Sequence, residues 1–272
     1  MAYCIDCGKK ISRYFSRCNA YYDGLVCKDC DDKRVAKVIA EEVIESKRIG
    51  SKDLIDIFLE TFRIYGKYCL KLCCLLAILL VCELLKEMIS DGVNIPMAIA
   101  YSLGFIIIYT FVEGMIIYAV SEQYFKQEIN ISRAYHFALG KIKKLIIVNI
   151  EASIIIGIIS ITIIGIPLAI YFLISWSLRS QAILLEDLES RDALLRSESL
   201  INGNWWRIAG IAILLIIIGS VLGRIPLAGD VIKSAFTFSV LPIASTLLYY
   251  YLRVTKEGYS LGNLAGELHI VV

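Results

Sequence analysis

Histidine is almost missing from this chain: His136 and His269 are the only two in 272 residues. Zinc chemistry of the HExxH type needs two histidines one helical turn apart and is excluded. Nucleophilic triads and phosphate-cradling glycine loops are absent as well, so no catalytic constellation is found and no enzymatic activity is expected. Charge of one sign is also lacking. The 28 Lys and Arg face 26 Asp and Glu, leaving +2, too little to suggest a protein that neutralises a nucleic-acid backbone. A removable leader is not visible either. The N-terminus is polar and cysteine-bearing, without a short apolar core before a small-residue cleavage site. The first membrane span is therefore expected to act as its own insertion signal.

What the chain has in excess is apolar sequence, at 58% of residues and a mean hydropathy of +0.69. Soluble domains sit nearer ~45–50% apolar. The excess lies in blocks of the length that a bilayer requires, ~20 residues. Six spans are expected, over Tyr68–Ile89, Pro96–Val120, Leu145–Gly165, Pro167–Leu185, Arg207–Leu222 and Val231–Leu252. All should be helices, because open backbone in lipid leaves polar groups unpaired. Ser90-Asp91-Gly92, Gly165-Ile166-Pro167 and Gly223-Arg224-Ile225-Pro226 mark the three hairpin tips.

Basic residues cluster on one side. Lys86, Arg224 and Lys233 are the only ones near the tips, whereas the head, Lys126, Arg133, Lys141, Lys143, Lys144, Arg191, Arg196, Arg253 and Lys256 lie on the other side. Lys and Arg accumulate in cytoplasmic loops, so both termini are expected in the cytoplasm of a multi-pass cell-membrane protein. Trp205, Trp206 and Tyr249-Tyr250-Tyr251 fall at span ends, where amphipathic rings favour the interface.

A local unit recurs. Ser51, Ser132 and Ser190 each open a polar-apolar helix, and a pair of spans follows each one; Ser260-Leu261-Gly262-Asn263-Leu264 looks like a fourth, orphaned start. Serine suits the N-cap because its side chain accepts a bond from a free helical N–H. Leu54, Phe58, Phe62 and Tyr65 share one face, as do Ala134, Phe137, Ala138 and Ile142. The fold class expected is an all-α polytopic membrane protein of three transmembrane hairpins. Each hairpin is preceded by an amphipathic helix along the inner leaflet. The alternative is a set of chance amphipathic linkers.

Cys4-x2-Cys7 and Cys27-x2-Cys30 supply four thiolates from two knuckles, the tetrahedral set that Zn2+ prefers. A segment this short builds little apolar core, so the metal would supply much of its folding free energy. Four cysteines leave no open coordination position, so the head is structural rather than catalytic. Cys18 is free or an alternative ligand. Lys9, Lys10, Arg13 and Arg17 are offset by Asp23, Asp29, Asp31 and Asp32. A basic cluster near a membrane more often meets anionic lipid than nucleic acid. The expected organisation is a zinc ribbon over 1–31, an amphipathic helical linker over 32–67, a six-span domain over 68–256 and a cytoplasmic tail over 257–272.

Ionisable groups inside a span cost ~2.5–3.5 kcal/mol or more at its centre. Glu113, Glu151 and Arg179 fall at similar depth in the inner half, and Glu83 lies beside Lys86. Two roles are open: a polar pocket for a lipid headgroup or small ion, or an interhelical ion pair that fixes packing.

Ala193-x3-Ser197 with Gly203-Asn204-Trp205-Trp206, and the stretch Leu248–Tyr259, resemble motifs of six-span prokaryotic membrane domains. The chain from about Ser51 to Glu267 resembles the membrane domain fused to glycerophosphoryl diester phosphodiesterases and its stand-alone relatives. The resemblance implies a membrane domain without hydrolytic chemistry, because in fused members that chemistry belongs to a separate barrel for which this chain has no room. Membrane lipids and a protein partner at the ribbon are the expected associates. The two readings are a non-enzymatic organiser of lipid or protein and a permease for a small or lipid-like substrate.

One zinc per chain is expected. Replacing Cys4 and Cys27 together by serine should abolish it, as read by metal analysis of the purified protein; zinc retained in that double variant contradicts the ligand assignment.

Overall fold

The computed structural model describes residues 2–3, 10–11, 55–67, 79–82, 95–124, 130–226 and 229–258. The chain divides into two compact units, Met1–Ser51 with Val254–Val272, and Lys52–Arg253. In the first, β1 (Ala2–Tyr3) pairs antiparallel with β2 (Lys10–Ile11), with Ala2 opposite Ile11 and Tyr3 opposite Lys10. Cys4, Cys7, Cys18, Cys27 and Cys30 lie outside the described residues, as do most of the expected first span with Glu83 and Lys86, and the Ser260 segment.

The second unit is helical throughout its described residues. Its elements are α1 (55–67), α2 (Ile95–Tyr124), α3 (Ile131–Ser160), α4 (Gly165–Ser175), α5 (Arg179–Glu186), α6 (Ser190–Ile201), α7 (Trp205–Leu222) and α8, whose full extent is Gly229–Glu257. Residues 79–82 are also helical. Among the described residues four helical segments are long and apolar enough to cross a membrane: Ala100–Gln123, Gly165–Glu186, Trp205–Leu222 and Gly229–Glu257. Exposed isoleucines and leucines belt these helices and the C-terminal half of α3, Ile154, Ile158, Leu173, Ile213 and Ile217 among them. In water such a surface would carry a large hydrophobic penalty; in hydrocarbon it is the matching solvent.

Three expectations are revised. The amphipathic segment after Ser132 is not a separate surface helix, because it runs without interruption into the apolar half of α3. Nothing between Ala134 and Leu145 breaks the helix, and a lone Gly140 costs only ~1 kcal/mol. The cap is Asn130 rather than Ser132: Asn130 Oδ1 accepts the backbone N–H groups of Ser132 (3.0 Å) and Arg133 (3.2 Å). Second, the apolar side of α1, expected to be partly immersed in lipid, is covered by other helices. Ile57 and Ile64 join Val112, Ile116, Ile243 and Leu247 in one cluster, and Phe62 meets the Phe236 ring at 6.0 Å. Third, the fourth span is not one helix but two, α4 and α5, interrupted at Trp176–Leu178.

The third amphipathic segment is separate, as α6. It ends at Asn202, and Gly203 takes a positive φ of 85° that an L side chain rarely adopts. The interior packs tightest where α2 meets α3. A Cβ on Gly114 would sit 3.3 Å from both Ala138 and Leu145, so glycine there lets the two helices close. At the end of this pair Glu122 is fully buried. Its carboxylate accepts the Asn130 N–H at 3.1 Å and faces Arg133 Nε at 3.4 Å.

Candidate functional site

The interruption between α4 and α5 carries the densest intramembrane polar chemistry described. Breaking a helix frees backbone donors and acceptors, and hydrocarbon offers them no water. The missing partner comes from α6. Ser197, fully buried, accepts the Leu178 N–H at 3.0 Å and donates its own proton to the Ser175 carbonyl at 2.7 Å. One hydroxyl thereby closes both sides of the break.

Arg179 opens α5 at this point. Its Nη1 donates to the Trp176 carbonyl at 2.9 Å, and its Nε donates to Asn149 Oδ1 at 2.9 Å. Asn149, buried on α3, passes the chain on through Nδ2 to Thr110 Oγ1 of α2 at 3.2 Å. Glu113, also on α2, interacts electrostatically with Arg179 and accepts a hydrogen bond from Ser180. Arg179 and Glu113 are therefore within electrostatic reach of each other. Glu151 is served elsewhere: its carboxylate accepts the Ser190 hydroxyl at the start of α6. That bond also explains why Ser190 does not cap its helix; α6 starts after Glu189 with no side-chain cap.

A second cluster, which sequence reasoning missed, centres on Glu186 at the end of α5. Arg196 Nε of α6 reaches both Glu186 oxygens at 2.9 Å, Tyr249 of α8 donates its hydroxyl to the same carboxylate, and Arg253 Nε lies 3.8 Å away. Tyr249 and Tyr250 are fully buried within the protein. Their hydroxyls have internal partners, Tyr250 meeting Ser121 at 2.6 Å. Trp206 is 83% exposed, the environment expected of an interfacial anchor, while Trp205 stacks on Tyr171 at 5.8 Å. The only sequence signal for this cluster is the pairing of Ala193-x3-Ser197 with the Leu248–Tyr259 stretch. Ala193 is fully buried, and Arg196, Ser197, Tyr249 and Arg253 all belong to these networks.

Beyond α5 the chain turns at Asp187, in the left-handed region at φ 54°. Lys141 and Lys144 of α3 hold its carboxylate at 3.4 and 3.3 Å, and Lys144 also reaches Glu189 at 3.0 Å. Partial burial pushes the Asp187 carboxyl up, but the two lysines outweigh it and hold it below its ordinary 3.8. Hydrogen bonds that the Lys144 ammonium donates to Glu189 and Asp187 hold it above its ordinary 10.5. Among the described residues no three His, Cys, Asp or Glu side chains converge as a metal site. The chain matches no protein-family profile, no curated protein and no solved structure.

Ser197→Ala should destabilise the detergent-solubilised protein by about 2 kcal/mol, since it strands a buried N–H and a buried carbonyl at once. Thermal unfolding reads this; an unchanged transition contradicts the bridging role. The Asp187 contribution has a defined pH sign. With a folded value below 3.8, its stabilisation is fully present above the unfolded value and is lost as pH falls through the folded one. Wild type should exceed Asp187→Asn in unfolding temperature at about pH 6, and the gap should close below about pH 4.

Proposed function

We propose that this chain is a six-span, non-enzymatic integral protein of the cell membrane that organises lipid or partner proteins. Both termini are cytoplasmic, and the head at Cys4, Cys7, Cys27 and Cys30 binds Zn2+. One observation carries the scaffold reading: Glu113, Glu151 and Arg179, the charges expected within the spans as a cluster, each have an internal partner. Arg179 is held by Asn149 and the Trp176 carbonyl, Glu113 by Ser180, and Glu151 by Ser190. A group so committed contributes to packing, and buried polar groups need no ligand when each has its bond.

The six-span count adds the expected first span and the apolar half of α3 to the four membrane-length helices. The separation of basic residues supports the orientation. For the head, support comes from the β1–β2 ladder, whose strands flank Cys4 and Cys7 in sequence. A two-stranded hairpin is marginal in water by itself, so an additional tie such as a thiolate-bound metal suits it. The resemblance to the phosphodiesterase-fused membrane domain supports the same assignment and adds no chemistry to it.

The interrupted helix favours a second reading. Discontinuous membrane helices build substrate and ion sites in secondary transporters, and the break in Gly165–Glu186 has a charged side chain at its edge. Arg179→Leu separates the two. The scaffold reading expects a lower unfolding temperature in detergent and no solute flux into vesicles from wild type or variant. Flux by wild type that vanishes in a folded Arg179→Leu protein would establish the permease instead.

A further inference from the structure

The outermost turns of α7 and α8 enclose an open groove of about 170 Å³. Its walls are Leu215 and Ile216 of α7 and Phe236, Val240 and Leu241 of α8. Gly219 forms part of its lining: a Cβ there would already meet Thr237 Oγ1 at 3.5 Å and the Phe236 ring at 3.8 Å. The aromatic rings of α1 back the same wall, because Phe62 and Tyr65 pack on Phe236. The groove lies between two membrane-length helices, and on the membrane reading it is open to acyl chains.

Polarity in the groove is confined to a few groups. Ser220 spends its hydroxyl on the Ile216 carbonyl at 2.8 Å, which leaves Thr237 and the ammonium of Lys233. Lys233 lies in the first turns of α8, remote from Arg253 and the Glu186 cluster, and its aliphatic stem runs 3.1 Å from where a Gly223 Cβ would be. Arg224 is exposed beside it in sequence. Asp230 precedes Lys233 by three residues, yet among the described residues Lys233 forms no ion pair. An apolar slot lined by a cation that no described residue neutralises is complementary to one kind of molecule found in a bilayer. We propose that this groove binds an anionic phospholipid, one acyl chain lying against Leu215, Gly219 and Val240 and the phosphate resting on Lys233. The assignment rests on the membrane reading above, and it names the lipid class and the place.

The test uses the full chain in nanodiscs of equimolar phosphatidylglycerol and phosphatidylcholine with matched acyl chains, followed by stepwise delipidation and native mass spectrometry. Wild type should retain phosphatidylglycerol about fivefold over phosphatidylcholine, the factor that one lysine at an anionic surface supplies. Lys233→Arg should keep the preference and Lys233→Gln should remove it. Gly219→Leu, which fills the slot, should lose both lipids. Equal retention by wild type, or a preference untouched by Lys233→Gln, overturns the site and leaves the membrane reading standing. A doubled mass that Gly219→Leu abolishes would assign the groove to a second copy and overturn the lipid. Failure of the wild-type chain to enter nanodiscs would instead overturn the membrane reading itself.

Discussion

A backbone that stops being helical inside hydrocarbon must be completed by the protein, and in this molecule a single hydroxyl does so. Ser197 bonds both rims of the gap between α4 and α5. With that gap closed, Arg179 is fixed at the head of α5, where it reaches across to Asn149 and, through it, to Thr110. Three helices, α2, α3 and α5, are thereby linked by polar contacts. Seven residues further on, Glu186 gathers Arg196 and Arg253 and the Tyr249 hydroxyl. The short helix α6 contributes to both clusters, so its placement and the shape of the interrupted span depend on each other.

The apolar blocks were legible because hydropathy is additive along a chain and a bilayer sets a fixed length. Gly203 was legible within a motif, and its positive φ supplies the reason that α6 ends there. The interruption was not legible. Trp176-Ser177-Leu178 contains neither glycine nor proline, and nothing local forbids a helix through it. The reason for the break is tertiary: Ser197 offers the freed groups a partner, and Ser197 lies nineteen residues beyond Leu178 in the chain. The continuity of α3 was hidden by its lysines, which look like a boundary. In the folded chain Lys141 donates to the Leu184 carbonyl at 2.9 Å, extending α3's contacts instead of ending the helix.

The buried charges teach a related lesson. Glu113, Glu151 and Arg179 stand out by type and depth, so they are easy to find in a sequence. Their partners are harder to find, because Asn149, Ser180 and Ser190 are neutral and common. A search for opposite charges passes over amides and hydroxyls, although a hydrogen bond to a charged group is worth ~1.5–3 kcal/mol. The run Tyr249-Tyr250 hides its partners for the same reason. An aromatic hydroxyl fits a wet interface or an internal acceptor equally well, and only the positions of Glu186 and Ser121 decide between them.

The turn joining α3 to α4 has its own consequence. Ile161, Ile163 and Ile164 are 81, 87 and 90% exposed, and Thr162 turns its hydroxyl inward to accept the Gly165 N–H at 3.0 Å. From Ser160 to Leu168 there is no ionisable side chain. A loop of this composition brings no ion into a hydrophobic barrier. Such a loop does no electrical work against a membrane voltage if it crosses.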